Sequence, residues 1–219
     1  MGAQKLGATM RDARLRFSRR AEHTMGMPAH ARRWTAAEVR ELSDESRPWP
    51  RYELIDGELL VTPAPRPAHQ IAVGRLFSTL SPYVDAEQLG LALMSPADLE
   101  LQAGTVTQPD VFVVPSAFSH DAGPLREWSQ VRGLLLAVEV ISPSSVHYDR
   151  VTKRAFFQRA GVPEYWVVDP DARAVERWRP ESRVPEMIRE RLVWSPPGAT
   201  AAFEMDLPAF FARVAGEHR

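Results

Sequence analysis

Glu139 is the residue that least fits its neighbours. It stands in the run 134–141, where every other side chain is apolar: Leu134, Leu135, Leu136, Ala137, Val138, Val140 and Ile141. A carboxylate buried in a strand is costly unless an arginine, a hydrogen-bond donor or a metal ion compensates it. The alternative is a strand end where the group meets solvent. Asp110 is the second such residue. It follows Pro109 and opens Val111-Phe112-Val113-Val114, a short apolar stretch. An aspartate there either caps its own turn or projects into a cleft shared with an acid on a neighbouring strand. Two carboxylates in one cleft bind a hard divalent cation, with water and substrate phosphate completing its shell.

Lys153 is the third. Of 27 basic side chains all but two are arginine, the exceptions being Lys5 and Lys153. In a chain that uses arginine wherever positive charge suffices, a lysine in mid-domain marks chemistry that needs an ammonium. A helix that crosses back over the 134–141 strand overhangs the strand's end, so its first turns carry Lys153 toward Glu139. An ammonium there orients an attacking water, favours its deprotonation, or offsets charge on a pentacovalent phosphate. The plainer role is an i,i+4 pair with Asp149, worth about 0.3–0.5 kcal/mol. Glu58 lies on the same hairpin face as Glu53, and one of the two could give a third carboxylate. His69, near the start of the next helix, either meets a phosphate or a metal-bound water or is an ordinary helix-start histidine. No G-x-S-x-G elbow, Gly-rich phosphate loop or H-E-x-x-H zinc helix is present. The absence of cysteine excludes disulfide frameworks, zinc–thiolate sites, iron–sulfur clusters and thiol nucleophiles.

The elements that would hold these residues follow from pattern. Thr35 with Glu38 is a capping box opening a short helix to Leu42. Tyr52-Glu53-Leu54-Ile55, Asp56-Gly57 and Glu58-Leu59-Leu60-Val61 read as a hairpin with a type I′ turn, Leu54 opposite Leu59 and Ile55 opposite Glu58. Ile71, Leu76, Phe77 and Leu80 recur at helical spacing over 68–84. Strands are expected at 89–101, broken near Pro96, and at 111–114, 134–141, 165–168, 175–179 and 191–194. Helices are expected at 149–160, with Gly161 after it, and at 207–214. The order predicts a mixed α/β domain: one central mixed sheet flanked by helices and extended by the opening hairpin.

The 219 residues, 44% apolar and 25% charged, suit one soluble domain plus a tail. No stretch approaches the ~20 consecutive apolar residues of a membrane helix, so a membrane partner is not expected. The charge is uneven. Residues 1–33 carry eight basic and two acidic side chains, a net of +6, and the rest of the chain carries a net of −7. The first 33 residues read as a disordered basic tail. They resemble an Arg-rich transit peptide weakly, and equally an upstream start, with Met25 or Met27 as the true beginning. They lack a secretory core, and the expectation is a cytoplasmic protein with its domain at 34–219.

Taken together the motifs have a family look. Tyr52-Glu53-Leu54-Ile55-Asp56-Gly57-Glu58, His69-Gln70, Gln108-Pro109-Asp110, Val138-Glu139-Val140-Ile141-Ser142-Pro143-Ser144, Asp149 with Lys153-Arg154, and Gly161-Val162-Pro163-Glu164-Tyr165-Trp166-Val167-Val168-Asp169-Pro170 occur in that order. From about Trp34 to Phe211 the chain resembles the Uma family, once catalogued as a domain of unknown function and named by similarity as restriction endonucleases, within the PD-(D/E)XK nuclease superfamily. The resemblance implies a restriction-endonuclease-like fold and a metal-dependent endonuclease, with Mg²⁺ or Mn²⁺ held by Asp110 and Glu139 and nucleic acid, foremost DNA, as substrate. The superfamily pattern asks for lysine where this chain has Ile141. In the Uma family a lysine on the next helix substitutes, and Lys153 stands at that place. Phe157 replaces the tyrosine that relatives often carry.

Glu58 is then a further catalytic candidate, and His69 and Arg154 are candidates for phosphate or supporting contacts. Arg66, Arg75, Arg150 and Arg154 could form a basic groove in an otherwise acidic domain. Cutting both strands of a duplex often uses two active sites, so a homodimer is one possible assembly, which the sequence does not fix. Two other readings stand beside this one: a non-catalytic module of the same fold that binds nucleic acid or a protein, and a metal-dependent hydrolase of another phosphoester.

Overall fold

The computed structural model describes residues 32–43, 49–119, 123–143 and 145–217. The expected basic tail, with Met25 and Met27, lies outside the described residues but for its last two. The unit Arg33–Arg219 holds the fold. It opens with helix α1 (Ala36–Leu42), begun by the capping box: the Thr35 amide donates to Glu38 Oε2 at 2.9 Å, and Thr35 Oγ1 accepts from the Glu38 amide at 3.3 Å.

Strands β1 (Arg51–Ile55) and β2 (Glu58–Thr62) pair antiparallel in the expected register, Leu54 with Leu59 and Ile55 with Glu58. Asp56 and Gly57 both have positive φ, 54° and 79°, as a type I′ turn demands. The hairpin is a sheet of its own; it does not lengthen the central one as expected. Both of its faces are used. Leu54 packs with Val39 and Val106, while Ile55 and Leu60 enter the main core beside Phe156 and Phe157. The Leu54–Val106 bridge and the Gln108 amide donating to Glu53 tie the hairpin to the segment before Val111.

Pro67 starts helix α2 (Pro67–Ala86), as a residue with no N–H and a fixed φ does well. Its inward row is Ala72, Val73, Leu76, Leu80 and Val84; Ile71, counted in the expected stripe, is 42% exposed. Then come β3 (Gly90–Met94), β4 (Val111–Pro115), the short α3 (Ser116–Ser119), a 3₁₀ turn at Trp128–Gln130 and β5 (Leu136–Val140). The helix after β5 is expected to be regular. Instead a π-helical stretch, Tyr148–Lys153, runs into α4 (Arg154–Arg159). Gly161 follows with φ 72°. Next are β6 (Glu164–Asp169), β7 (Ala174–Trp178), β8 (Glu186–Ile188), β9 (Arg191–Trp194), β10 (Phe203–Asp206) and helix α5 (Leu207–Val214).

The central sheet has six strands in the order β3-β4-β5-β6-β7-β8. Only β5 and β6 run parallel, joined by the helix between them; the other neighbours are antiparallel. Alternation of side chains across the sheet builds two cores. On one face Val111, Val113, Leu136, Val138, Val140, Trp166 and Val168 meet α2, α5 and the β9–β10 hairpin. On the other, Phe112, Val114, Ala137, Tyr165 and Val167 meet α4 and the β1–β2 hairpin. By the same alternation Asp110 and Glu139 belong to this second face.

Candidate active site

Asp110 precedes the first residue of β4, and Glu139 lies one residue from the end of β5. β4 and β5 are neighbours, Val111 pairing with Val138. Both acids therefore reach the same end of the same sheet face. The Val140 amide donates to Asp110 Oδ2 at 3.0 Å, His69 Nε2 lies 3.0 Å from the same oxygen, and Arg51 Nη1 lies 3.3 Å from Oδ1. Burial pushes the Asp110 carboxyl up, but His69, Lys153 and the Val140 amide outweigh it and hold the group below its ordinary value. Asp110 is ionised.

Glu139 is shifted the other way. It is buried, with Lys153 Nζ donating to Oε1 at 3.0 Å. Burial, with the charges of Asp110, Asp149 and Glu53, raises its carboxyl well above the ordinary value against the pull of Lys153. The helix between β5 and β6 places Lys153 as its fold requires, over the strand end. The ammonium sits 2.7 Å from Glu53 Oε2, 3.0 Å from Glu139 Oε1 and 3.6 Å from Asp149 Oδ1. Burial disfavours its charge, but Glu139, Glu53 and Asp149 prevail and raise it well above the ordinary value. Lys153 keeps its proton and acts as a fixed cation. The i,i+4 pair with Asp149 is also present, as the longest of its three contacts.

The third carboxylate is Glu53, one of the two hairpin acids considered. It is buried, and its Oε1 accepts from the Gln108 amide at 2.7 Å. Glu58 is exposed beside the hairpin turn and does not line the cleft. The two share a face, but Glu58 sits opposite Ile55 at the turn end, away from Lys153. Asp149 is a fourth carboxylate, raised to about 6 by burial and by Asp110 and Glu53 against Lys153 and the Ser145 hydroxyl. Arg154 also falls outside the cleft: its Nη1 donates to Gln158 at 2.8 Å and its guanidinium lies over Trp178 at 4.9 Å. Arg150 is bound to Glu176 at 2.6 Å and Asp169 at 2.9 Å. Of the four arginines considered for a groove, only Arg66 lines the cleft. Arg51 does so too, and sequence reasoning missed it. The period-2 alternation that sets Glu53 on the inner face sets Arg51 there as well.

These groups line a cleft of about 260 Å³ that also takes in Trp49, the 62–66 connector and Ser142. Among the described residues no three His, Asp or Glu side chains are grouped to enclose an ion by themselves. The donor set suits a hard cation held by two carboxylates and completed by water and phosphate oxygens. Four carboxylates (Asp110, Glu139, Glu53, Asp149) share the cleft with three fixed cations, Lys153, Arg51 and the exposed Arg66. Fully ionised, they leave a net negative charge, which favours a bound cation. Burial first, and the neighbouring acids after it, raise the Glu139 and Asp149 carboxyls.

Comparison with known proteins agrees with the fold. A putative nuclease belonging to DUF820 from Anabaena variabilis ATCC 29413 is 20% identical; the match covers 83% of this chain and 99% of that one, with a TM-score of 0.65. No curated protein matches. Among the described residues no helix is long and apolar enough to cross a membrane. The family model Uma2, described as "Putative restriction endonuclease", matches residues 36–214. That span takes in the central sheet, both hairpins and every cleft residue named above, and the chain belongs to the Uma2 family.

Proposed function

We propose that the chain is a metal-dependent endonuclease that hydrolyses phosphodiester bonds, with DNA as its substrate. The observation that carries this reading is the convergence of Asp110 and Glu139 from adjacent strands onto one buried cleft, with the Lys153 ammonium 3.0 Å from Glu139. Asp110 and Glu139 would hold Mg²⁺ or Mn²⁺. The ion supplies Lewis acidity at a phosphoryl oxygen and lowers the pKa of a bound water.

The chain's own residues do the rest. Lys153 has three N–H donors. Two are spent on Glu53 and Glu139, at 2.7 and 3.0 Å. Asp149, at 3.6 Å, is too far for a hydrogen bond, so the third donor is free to hold the attacking water or a phosphate oxygen. Glu53 and Asp149 fix the ammonium and keep it charged. His69 and the Val140 amide hold the Asp110 carboxylate in one orientation. The water oxygen bonds to phosphorus and gives up a proton to solvent, the phosphorus–oxygen bond to the departing strand breaks, and the departing oxygen takes a proton from solvent. Two copies of the chain would cut the two strands of a duplex.

The test is cleavage of supercoiled plasmid by the full chain in Mg²⁺ or Mn²⁺, with chelator as control, and with Asp110→Asn and Glu139→Gln checked for folding by circular dichroism. Cleavage that needs the metal and disappears in both folded variants is expected. Absence of cleavage in the wild type under every metal would assign the fold to a non-catalytic binding module.

A further inference from the structure

The cleft has a second group of lining residues, opposite in charge to the carboxylates. Arg51 opens β1, its side chain 10% exposed and its guanidinium 4.3 Å above the Trp49 ring. Among the described residues its one hydrogen-bond acceptor is Asp110 Oδ1, at 3.3 Å, and its Nε–H has none. A guanidinium has five N–H donors in a planar fork, so most of its capacity is unspent. Arg66 lines the same cleft, is exposed, and has no acceptor among the described residues. It is also the N-cap of α2, a helix of 20 residues, and makes no capping bond of its own. The positive end of α2 therefore opens at Arg66 and His69, both on the cleft. The Nδ1 atom of His69 is buried without a partner.

Planar forks and a helix N-terminus are the two protein devices best matched to phosphate oxygens. Arg51 is already held flat by Trp49, so little of its freedom remains to be lost on binding. Residues 34–219 carry a net charge of −7, so a polyanion needs local cations to approach. We infer that Arg51, Arg66 and the first turn of α2 form a phosphate subsite that holds a backbone phosphate beside the one being cut. It rests on the nuclease reading and names the groups that receive the strand. Arg51 leaves Asp110 when that carboxylate is engaged by a cation, and turns its free donors to the phosphate.

Fluorescence anisotropy with a short labelled DNA duplex in chelator, on the full chain and on Arg51→Met and Arg66→Ala, tests this. Mn²⁺ calorimetry on the same proteins runs beside it. Each variant should bind the duplex about tenfold more weakly, and the slope of log affinity against log salt should fall by about one, with Mn²⁺ binding undiminished. Unchanged affinity and slope in both variants overturns the subsite while plasmid cleavage by the wild type leaves the nuclease reading standing. A parallel loss of Mn²⁺ and duplex binding in Arg51→Met makes Arg51 a support for Asp110 and overturns it equally. If calorimetry with inorganic phosphate shows binding by the wild type that both variants lose while they keep the duplex, the ligand is a free anion and the strand assignment fails. Arg66 is exposed, so Arg66→Ala keeps the test decisive if Arg51→Met does not fold. A wild type that binds no duplex, with or without metal, removes the subsite and the nuclease reading together.

Discussion

Replacing Asp149 by Asn should stabilise the protein, and the gain should depend on pH. Asp149 is 2% exposed, and its carboxyl is raised from 3.8 to about 6. A raised carboxyl means the folded state binds the proton more tightly than the unfolded state does. The contribution of Asp149 to stability is therefore greatest below the unfolded value and falls as pH rises, the loss being complete above about 6. At about 1.4 kcal/mol per pH unit the loss is about 3 kcal/mol. Asn keeps the size of Asp and an acceptor for Ser145 but carries no charge to desolvate. Lys153 keeps Glu53 and Glu139, its two shorter partners, at 2.7 and 3.0 Å. Asp149→Asn should then match the wild type in acid and exceed it by up to about 3 kcal/mol at about pH 8. For a chain of this length that is a rise of about 6–12 °C in Tm. Thermal melts by circular dichroism across that pH range measure it. A variant less stable than the wild type at the alkaline end would show that the attraction of Lys153 for Asp149 outweighs the cost of burying its charge, and would refute the charge account of the cleft.

Lys153→Met leaves Glu53, Glu139 and Asp149 buried without their cation; urea unfolding should show a loss of about 3–5 kcal/mol at neutral pH. The loss should shrink in acid, where Glu139 and Asp149 take up protons. Gly90→Ala should yield little soluble folded protein, because a Cβ there would stand 2.0 Å from the Val114 carbonyl oxygen and φ is +139°; expression with a thermal melt checks it. Glu58→Gln should leave plasmid cleavage unchanged and move stability by no more than about 0.5 kcal/mol, since Glu58 is exposed and outside the cleft.

Much of the architecture was legible because each element had its own local signal. Asp56-Gly57 between two apolar runs fixed the hairpin and its register, and Thr35 with Glu38 marked the start of α1. The apolar run around Glu139 revealed β5, and Pro109-Asp110 the start of β4. Strands β8 and β10 went unread because three or four residues, half of them exposed, carry too little periodicity. The hairpin's place was misread because a strong local turn signal fixes the pairing of its own two strands and says nothing about which other edge they meet. The π-helical turn had no signature either: a 3.6-residue stripe and its longer variant look alike over six residues. At the site, rarity singled out Lys153 and misplaced polarity singled out Glu139. Choosing Glu53 over Glu58 needed depth along the hairpin, which register alone does not give. Arg154 next to Lys153 looked equally placed, but one residue along a helix turns the side chain about 100° away, and it stacks on Trp178.

The measurement that bears most directly on the site is a calorimetric Mn²⁺ titration of the full chain and of Glu139→Gln, both shown to be folded. The wild type should bind Mn²⁺, and the more tightly as pH rises, because burial raises the Glu139 carboxyl and the ion needs it ionised. Glu139→Gln should bind none. Equal binding by the two proteins would place the ion elsewhere and contradict the assignment of Glu139 to the metal.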